Sequence, residues 1–390
     1  MNPHTQRTTT VLCMPAHSSE GAHEMSEYTQ QLVRSLAPGS YHFIQLVSEL
    51  PASHTSARAS GIQYVPVGRG IVALLRTRQY YRRHHRTIDF VVDHWGPLPI
   101  PRLFRVPSRS RLHLVHHLMR SSWRYLTSPL LRLFGPLAER MLLKRYRRDV
   151  FLSASRATTE DLLGCGTAPR NIFTLPPATT PQLMPLPPDN AKEDDPTFVF
   201  ASSATEMKGI GSALRAFAVA KQSLPDARLW IISTEDLSAY RRIIEPLCLK
   251  LGLECGGPIS DLDVLVWGHT RGAVRRNLIM RSHALLFPSL REGAAAEVYE
   301  AAVLGTPAVV FNVPGSRHAV DGGQAGYLVN DYSPRAMART MQKLFEEPAG
   351  YEMMRIRAHA SAANQLGSCS AMRTVARNLG RRMQMRKCKV

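Results

Sequence analysis

Leu286 to Val310 reads LFPSLREGAAAEVYEAAVLGTPAVV, a strand, a turn, a helix and a second strand in one stretch. Leu285–Phe287 is a short apolar run of the kind that ends inside a buried sheet. Pro288 to Gly293 has the proline, serine and glycine of a turn. Ala294–Leu304 predicts a helix, closed by Gly305 as its C-cap ahead of Thr306 and Pro307. Ala308 to Phe311 is apolar again and predicts the next strand. A helix between two strands implies a parallel pair joined by a right-handed crossover. Glu292 falls in the loop before the helix. Gly293, Ala294 and Ala295 carry small side chains, so their backbone can approach a ligand, alanine at negative φ. The free N–H groups of a helix start attract an anion such as a diphosphate. Glu300 lies farther along the same helix, where a carboxylate can accept hydrogen bonds from a ribose diol.

The same alternation runs through the chain. Strands are predicted at Thr9–Met14, His42–Val47, Gln63–Val67, Asp89–His94, Leu112–His116 and Val150–Ser153. Helices are predicted at Glu24–Leu36, Val72–His85 and Trp123–Arg148. A second series follows, with strands at Phe198–Ala201, Arg228–Ile232, Asp263–Trp267, Ala284–Phe287 and Ala308–Asn312. Strands alternating with helices imply parallel sheets. Between the two series, Thr174 to Pro196 reads TLPPATTPQLMPLPPDNAKEDDP, proline-rich and then acidic, without helical period. It predicts a linker. The expected organisation is a Rossmann-like domain over 1–180, a linker over 181–196, a second Rossmann-like domain over 197–366 and a basic helix or tail over 367–390. Such sheets bind ligands at the carboxyl ends of their strands, so two domains facing a central cleft are the expected α/β architecture.

Composition narrows the partners. The formal net charge is +19 with a sequence pI near 10.2. Between Glu49 and Glu139 fourteen arginines face only two acids, Asp89 and Asp93. That is a field rather than a mixed surface, and it attracts polyanions, anionic lipid or an acidic substrate. No RNA- or DNA-binding motif accompanies it, so nucleic acid is not an expected partner. None of the six cysteines forms a C-x-x-C pair, which points to reduced thiols rather than zinc ligands. No H-E-x-x-H or Mg²⁺-type carboxylate pair stands out, so no metal site is expected. The polar start and the short apolar run Val11–Pro15 do not make a signal peptide, so a cytoplasmic protein is expected, peripheral contact with an anionic membrane remaining open.

Leu286–Val310 resembles the E-x7-E signature of retaining glycosyltransferase family four, a family with the GT-B fold. Glu292 and Glu300 stand with seven residues between them, flanked by the family's Pro-Ser turn and its Gly-Thr-Pro-Ala-Val-Val strand. The resemblance implies that Glu292 contacts the donor sugar, that Glu300 contacts the ribose and that the amides of Gly293, Ala294 and Ala295 approach sugar and phosphate. The family's Gly-Phe-Gly is Gly293-Ala294-Ala295 here. Phe198–Phe217, FVFASSATEMKGIGSALRAF, resembles the opening of the family's second domain. It places Lys208 on the lysine that neutralises the leaving diphosphate, and Ser203 where the family has an arginine. Either Lys208 and the helix start suffice, or another arginine supplies the charge. Gly268 matches the loop at the nucleotide base, and Gly315 a glycine near the donor. In the first half Gly21 matches a glycine loop, and His116 a histidine that faces the donor sugar.

The function so implied is a hexosyltransferase, moving a sugar from a nucleoside-diphosphate donor to a hydroxyl acceptor with retention and without a cofactor. The acceptor is either lipid-linked or envelope glycan, or a soluble, possibly anionic, natural product. The alternative is a degenerate GT-B protein that binds a partner without catalysis.

Overall fold

The computed structural model describes residues 8–14, 41–49, 62–95, 106–125, 128–175, 184–188, 191–232, 240–258, 261–268, 270, 272–366 and 369–387. Gly21 and the predicted helix Glu24–Leu36 lie outside them. The chain divides into two compact units, Met1–Ala178 with Ser368–Val390, and Thr179–Gly367.

The first unit is built on seven parallel strands, β1 (Thr9–Cys13), β2 (Tyr41–Val47), β3 (Ile62–Pro66), β4 (Phe90–Trp95), β5 (Arg111–Val115), β6 (Val150–Ser153) and β7 (Ile172–Thr174). Their spatial order is β3-β2-β1-β4-β5-β6-β7. The strands are mostly buried because both faces of a parallel sheet are covered, with Gln45, Asp93, His94, Arg111 and His113 as buried polar exceptions. Val11, Cys13, Phe90, Val92, Leu112, Leu114 and Leu152 line one face. Leu12, Ile44, Leu46 and Val91 line the other, under Ala73, Tyr80 and Tyr81 of helix α1 (Gly70–His84). Leu143 and Tyr146 of α2 (Pro129–Tyr146) pack on Val115 and Phe151, which alternate with Leu114 and Leu152, so α1 and α2 cover the same face. Helix α3 (Arg156–Gly164) follows β6, with Ser155 as its N-cap accepting from Thr158 N at 3.1 Å.

The sequence predicts a single helix over Trp123–Arg148. The structure has a 3₁₀ turn at Arg120–Tyr125 and then α2. Ser128 caps α2 with its side chain, and Pro129 follows at the first helical position, where a proline starts a helix but does not continue one.

The second unit has β8 (Thr197–Phe200), β9 (Arg228–Ile232), β10 (Cys255–Gly256), β11 (Val264–Gly268), β12 (Ala284–Phe287), β13 (Ala308–Phe311) and β14 (Tyr327–Val329). These are parallel in the order β10-β11-β9-β8-β12-β13-β14. Its helices are α4 (Ile210–Ala220), α5 (Glu245–Leu251), α6 (Gly272–Arg281), α7 (Ala296–Val303), α8 (Pro314–Ala319), α9 (Pro334–Glu346) and α10 (Pro348–Leu366). From β8 the chain builds outward to one side through β9, then returns to build the other side from β12. The switch point therefore lies between β8 and β12, and open sheets of this kind take ligands at the carboxyl ends of the strands there. A last helix, α11 (Cys369–Lys387), belongs to the first unit, and its Ala376 and Leu379 are buried in that unit's core. No described helix is long and apolar enough to cross a membrane.

The segment read as a linker over 181–196 is part of the second unit where it is described. Lys192 Nζ donates to the carbonyls of Met280 and Ser282 and to Thr306 Oγ1 at 2.8–2.9 Å. Arg355 of α10, 0% exposed, donates to Pro187 O at 2.8 Å and to Gly305 O at 3.2 Å. A fully buried guanidinium is tolerated because carbonyls and the carboxylate of Glu352 receive its donors. Arg355→Met should therefore lower the stability of this unit by about 2–3 kcal/mol, since two carbonyls lose their donor. Urea unfolding of the full chain reads this, and an unchanged midpoint would contradict the clamp.

Candidate functional site

The loops that leave β8 and β12 at the switch point are tied to each other. Leu290 N donates to Met207 O at 2.9 Å, and Ser289 Oγ lies 3.1 Å from the same carbonyl. Gly209, the N-cap of α4, has φ +78°, and a Cβ there would lie 2.1 Å from Pro288 O. Only glycine lets the two backbones come this close in that conformation. Lys208 is thereby aimed at the loop after β12.

Three charged side chains meet there. Lys208 Nζ lies 2.7 Å from Glu292 Oε1 and 3.4 Å from Glu297 Oε1. Ser289 Oγ donates to Glu292 at 2.9 Å, and Ser202 Oγ to Glu297 at 2.9 Å. One ammonium between two carboxylates leaves a net negative charge at the centre, and the carboxylates separate in acidity. Burial pushes Glu292 above the usual carboxylate range, and the nearby Glu297 adds to this against the pull of Lys208. Burial acts on Glu297 as well, but Lys208, its own backbone N–H and Ser202 outweigh it and hold that carboxyl below the usual range. Glu297 is thus the fixed anion, and Glu292 is the one closer to taking up a proton.

A second pair flanks this centre. Arg275 of α6 grips Glu300 in a bidentate fork, with N···O distances of 2.8–3.1 Å, and its Nη2 also donates to Ala201 O at 3.0 Å. That carbonyl directly follows β8 and precedes Ser202 and Ser203. The guanidinium therefore lies where the loop's own sequence offers only serines. Lys208, Glu292 and Glu300 are all in this unit, as the sequence predicts. Ser202, Ser289, Glu297 and Arg275 join them without having been singled out. Glu297 carries one usable signal, an acid in the first turn of a helix. Arg275 carries none, because its partner is 25 residues away on another helix.

The small residues of the loop behave differently from expectation. Ala295 is the N-cap of α7 with φ +50°, not the negative φ that suits alanine. Holding an L-residue there costs roughly 1–2 kcal/mol, which its burial in the core helps to offset. Gly293 is buried and Ala294 half-buried. Gly315, within α8, is a packing glycine, since a Cβ there would lie 2.6 Å from both Glu292 O and Gly293 O. Ser203 is buried, and its carbonyl accepts from Thr205 N. Gly268 ends β11 at a register shift with φ +63°, two strands from β8. Among the described residues no three of His, Cys, Asp and Glu gather as metal ligands would.

In the first unit His116 follows β5, and its carbonyl accepts from Thr158 Oγ1 at 2.7 Å. Its ring stacks on that of His94, near the end of β4, at 6.5 Å. Burial lowers the His116 pKa from 6.5 to about 4, so the imidazole is neutral at pH 7.

Two predictions follow from this geometry. Gly209→Ala should destabilise the second unit by roughly 3 kcal/mol or more, through a backbone clash and a forbidden φ, and Gly315→Ala should do less damage while displacing Glu292. Thermal melting compares them, and a wild-type melt for Gly209→Ala would rule out the interlock. For His116 the unfolded chain binds a proton more readily than the folded one. The stability it contributes is present above pH 6.5 and is lost as pH falls toward about 4. His116→Asn should flatten the fall in melting temperature across that window.

Comparisons with known proteins agree with this architecture. Residues 186–361 match the family model for glycosyl transferases group 1. Over 157 residues the chain is 25% identical to the putative glycosyltransferase EpsD of Bacillus subtilis (strain 168), an alignment that covers 40% of this chain and 38% of EpsD. The fold is similar to sucrose-phosphate synthase from Thermosynechococcus elongatus, with a TM-score of 0.74 at 16% identity, covering 98% of this chain and all of that one. It is similar also to Anabaena HepE in complex with UDP-glucose, with a TM-score of 0.70 at 12% identity, covering 96% of this chain and all of that one. The chain therefore carries the two-sheet GT-B fold, and its second unit holds the stretch, residues 186–361, that matches the glycosyl transferases group 1 model.

Proposed function

We propose that the chain is a retaining, metal-independent hexosyltransferase that moves a sugar from a nucleoside diphosphate to a hydroxyl acceptor at the cytoplasmic side of the cell. The observation that carries this reading is the Lys208–Glu292–Glu297 centre at the β8/β12 switch point, with Arg275 and Glu300 beside it. The HepE structure with UDP-glucose supports a nucleotide-sugar ligand for this fold.

In this reading Glu300 accepts from the ribose diol and Glu292 from the sugar hydroxyls. Arg275 turns from Glu300 to the diphosphate and supplies the charge that Ser203 does not. Lys208 and the N–H groups at the start of α7 hold the same phosphates. As the anomeric C–O bond breaks, negative charge grows on the diphosphate, which is where these donors act most strongly. The acceptor oxygen attacks from the face the phosphate leaves, and its proton passes to the departing phosphate oxygen. His116, neutral at pH 7, is the proposed hydrogen-bond partner of the sugar or acceptor.

A second reading draws on Ser203 and on the strained Ala295, that of a GT-B protein that binds a partner without turnover. Melting curves with UDP, GDP, dTDP and ADP separate the two. One nucleotide should raise the melting temperature, by about 2.7 kcal/mol of stabilisation at a hundredfold excess over Kd. Glu300→Ala and Arg275→Ala should abolish that shift. Lys208→Met should cost roughly 2–3 kcal/mol of stability by leaving two carboxylates without their cation. A folded protein that no nucleotide stabilises would sink the transferase reading in favour of the non-catalytic one.

A further inference from the structure

Helix α2 covers the sheet with Leu143 and Tyr146 and packs Gly135 on the Trp123 ring, yet its outward side is also apolar. Leu130, Leu133, Phe134, Leu137 and Met141 recur at intervals of three and four residues, and they are 57–70% exposed. Five large apolar side chains in one exposed stripe, opposite the buried face, have no role in folding the unit.

The charge around the stripe has one sign. Arg140 borders it, and Lys144 and Arg145 close the helix, all exposed. The single acid of α2, Glu139, is buried and accepts from Met119 N, Arg120 N and Trp123 Nε1 at 2.8–3.1 Å. Helix α1 has no acid, exposes Arg76, Arg78, Arg82 and Arg83, and also exposes Val72 and Leu75. Both helices cover the same face of the first sheet, so these outer surfaces look the same way.

We infer that the outer surface of α1 and α2 docks on an anionic lipid bilayer, with the α2 stripe entering the headgroup–acyl boundary and the basic side chains meeting lipid phosphates. An amphipathic helix lying in the interface takes this form, apolar side chains inserted and Lys/Arg beside them. A second copy of the chain fits poorly, because a two-fold contact would press one basic surface against its own image. A nucleic acid would use the arginines but leave the apolar stripe in water. The inference does not depend on the transferase reading, although a chain held on a membrane suits a lipid-linked acceptor.

The test is co-sedimentation of the full chain with vesicles of phosphatidylcholine alone, or of phosphatidylcholine with phosphatidylglycerol. Binding is expected on the anionic vesicles. The surface variant L133S/F134S/L137S should lower the partition coefficient at least about tenfold with an unchanged melting temperature. R82Q/R83Q should lower it by about fivefold per charge and weaken its salt dependence. Absence of vesicle binding by the wild type overturns the inference. So does vesicle binding that L133S/F134S/L137S leaves intact, which would mark a general polyanion surface, or a dimer in light scattering that this variant dissolves while vesicles fail to bind. Nucleotide-induced melting shifts measured on the same variants stay at the wild-type value, so failure here is distinguishable from failure of the donor site.

Discussion

The second unit is organised around the need to keep Glu292 and Glu297 close together out of bulk water. One ammonium, that of Lys208, serves both. Such a centre is stable only if every other lone pair finds a donor, and Ser202 and Ser289 supply two of them. It also requires the two loops at the switch point to hold their spacing. Gly209 packs its backbone on Pro288, and Gly315 packs α8 on the carbonyls of Glu292 and Gly293. These glycines stand where backbones touch, so the charged centre and the packing of three loops are one constraint.

That constraint explains why the site concentrates negative charge where an anionic ligand is proposed to bind. A carboxylate-rich centre does not attract a diphosphate by itself. It holds cations in place until the ligand competes for them. Arg275 on Glu300 and Lys208 between two glutamates are both cations held in this way. On the proposed reading both cations already stand beside the ligand's place and turn from their carboxylates to meet the charge that develops on a leaving group. The αL conformation of Ala295 belongs to the same arrangement. It turns the chain sharply into α7 and directs the first free N–H groups of that helix, at a backbone cost the core absorbs.

Most of this was legible in the sequence wherever the signal was local. The alternation of apolar runs with helical periods marked both sheets, and the two-glutamate spacing placed Glu292 and Glu300 on one loop-and-helix unit. Strands β7 and β10 were not visible, because two or three residues at a sheet edge carry no period. The break between Tyr125 and α2 was missed because apolar spacing runs across it, while Ser128 and Pro129 decide the start. Arg275 and Glu297 were missed for a different reason. Their partners lie on other elements, and a contact that joins α6 to α7, or α7 to the β8 loop, has no trace in nearby residues. The proline-rich stretch misled by composition. It looks like a free connector, yet the buried Arg355 hydrogen-bonds its backbone at Pro187, and its own half-buried Lys192 donates to Met280, Ser282 and Thr306 of the second unit.

Net charge shows the same difference between count and placement. Fourteen arginines between Glu49 and Glu139 read as one field, but they do not act alike. Arg111 is buried against Asp149 at 2.9 Å and lies over the Tyr146 ring, beside His113, which is 2.9 Å from the same carboxylate. It is spent inside the unit and contributes nothing outward. Arg69 pairs with Glu49 at the surface, where such pairs add little to stability. Among the described residues the exposed arginines gather most densely on α1, where Arg76, Arg78, Arg82 and Arg83 meet no acid of that helix, and on α2 the one acid, Glu139, is buried. Solubility needs only a modest excess of one sign. A surface cleared of the opposite sign and given exposed leucines besides is poorly suited to water alone, and the sheet gains nothing from those leucines. The proposed bilayer contact would cover them with a phase that is apolar within and negative at its surface.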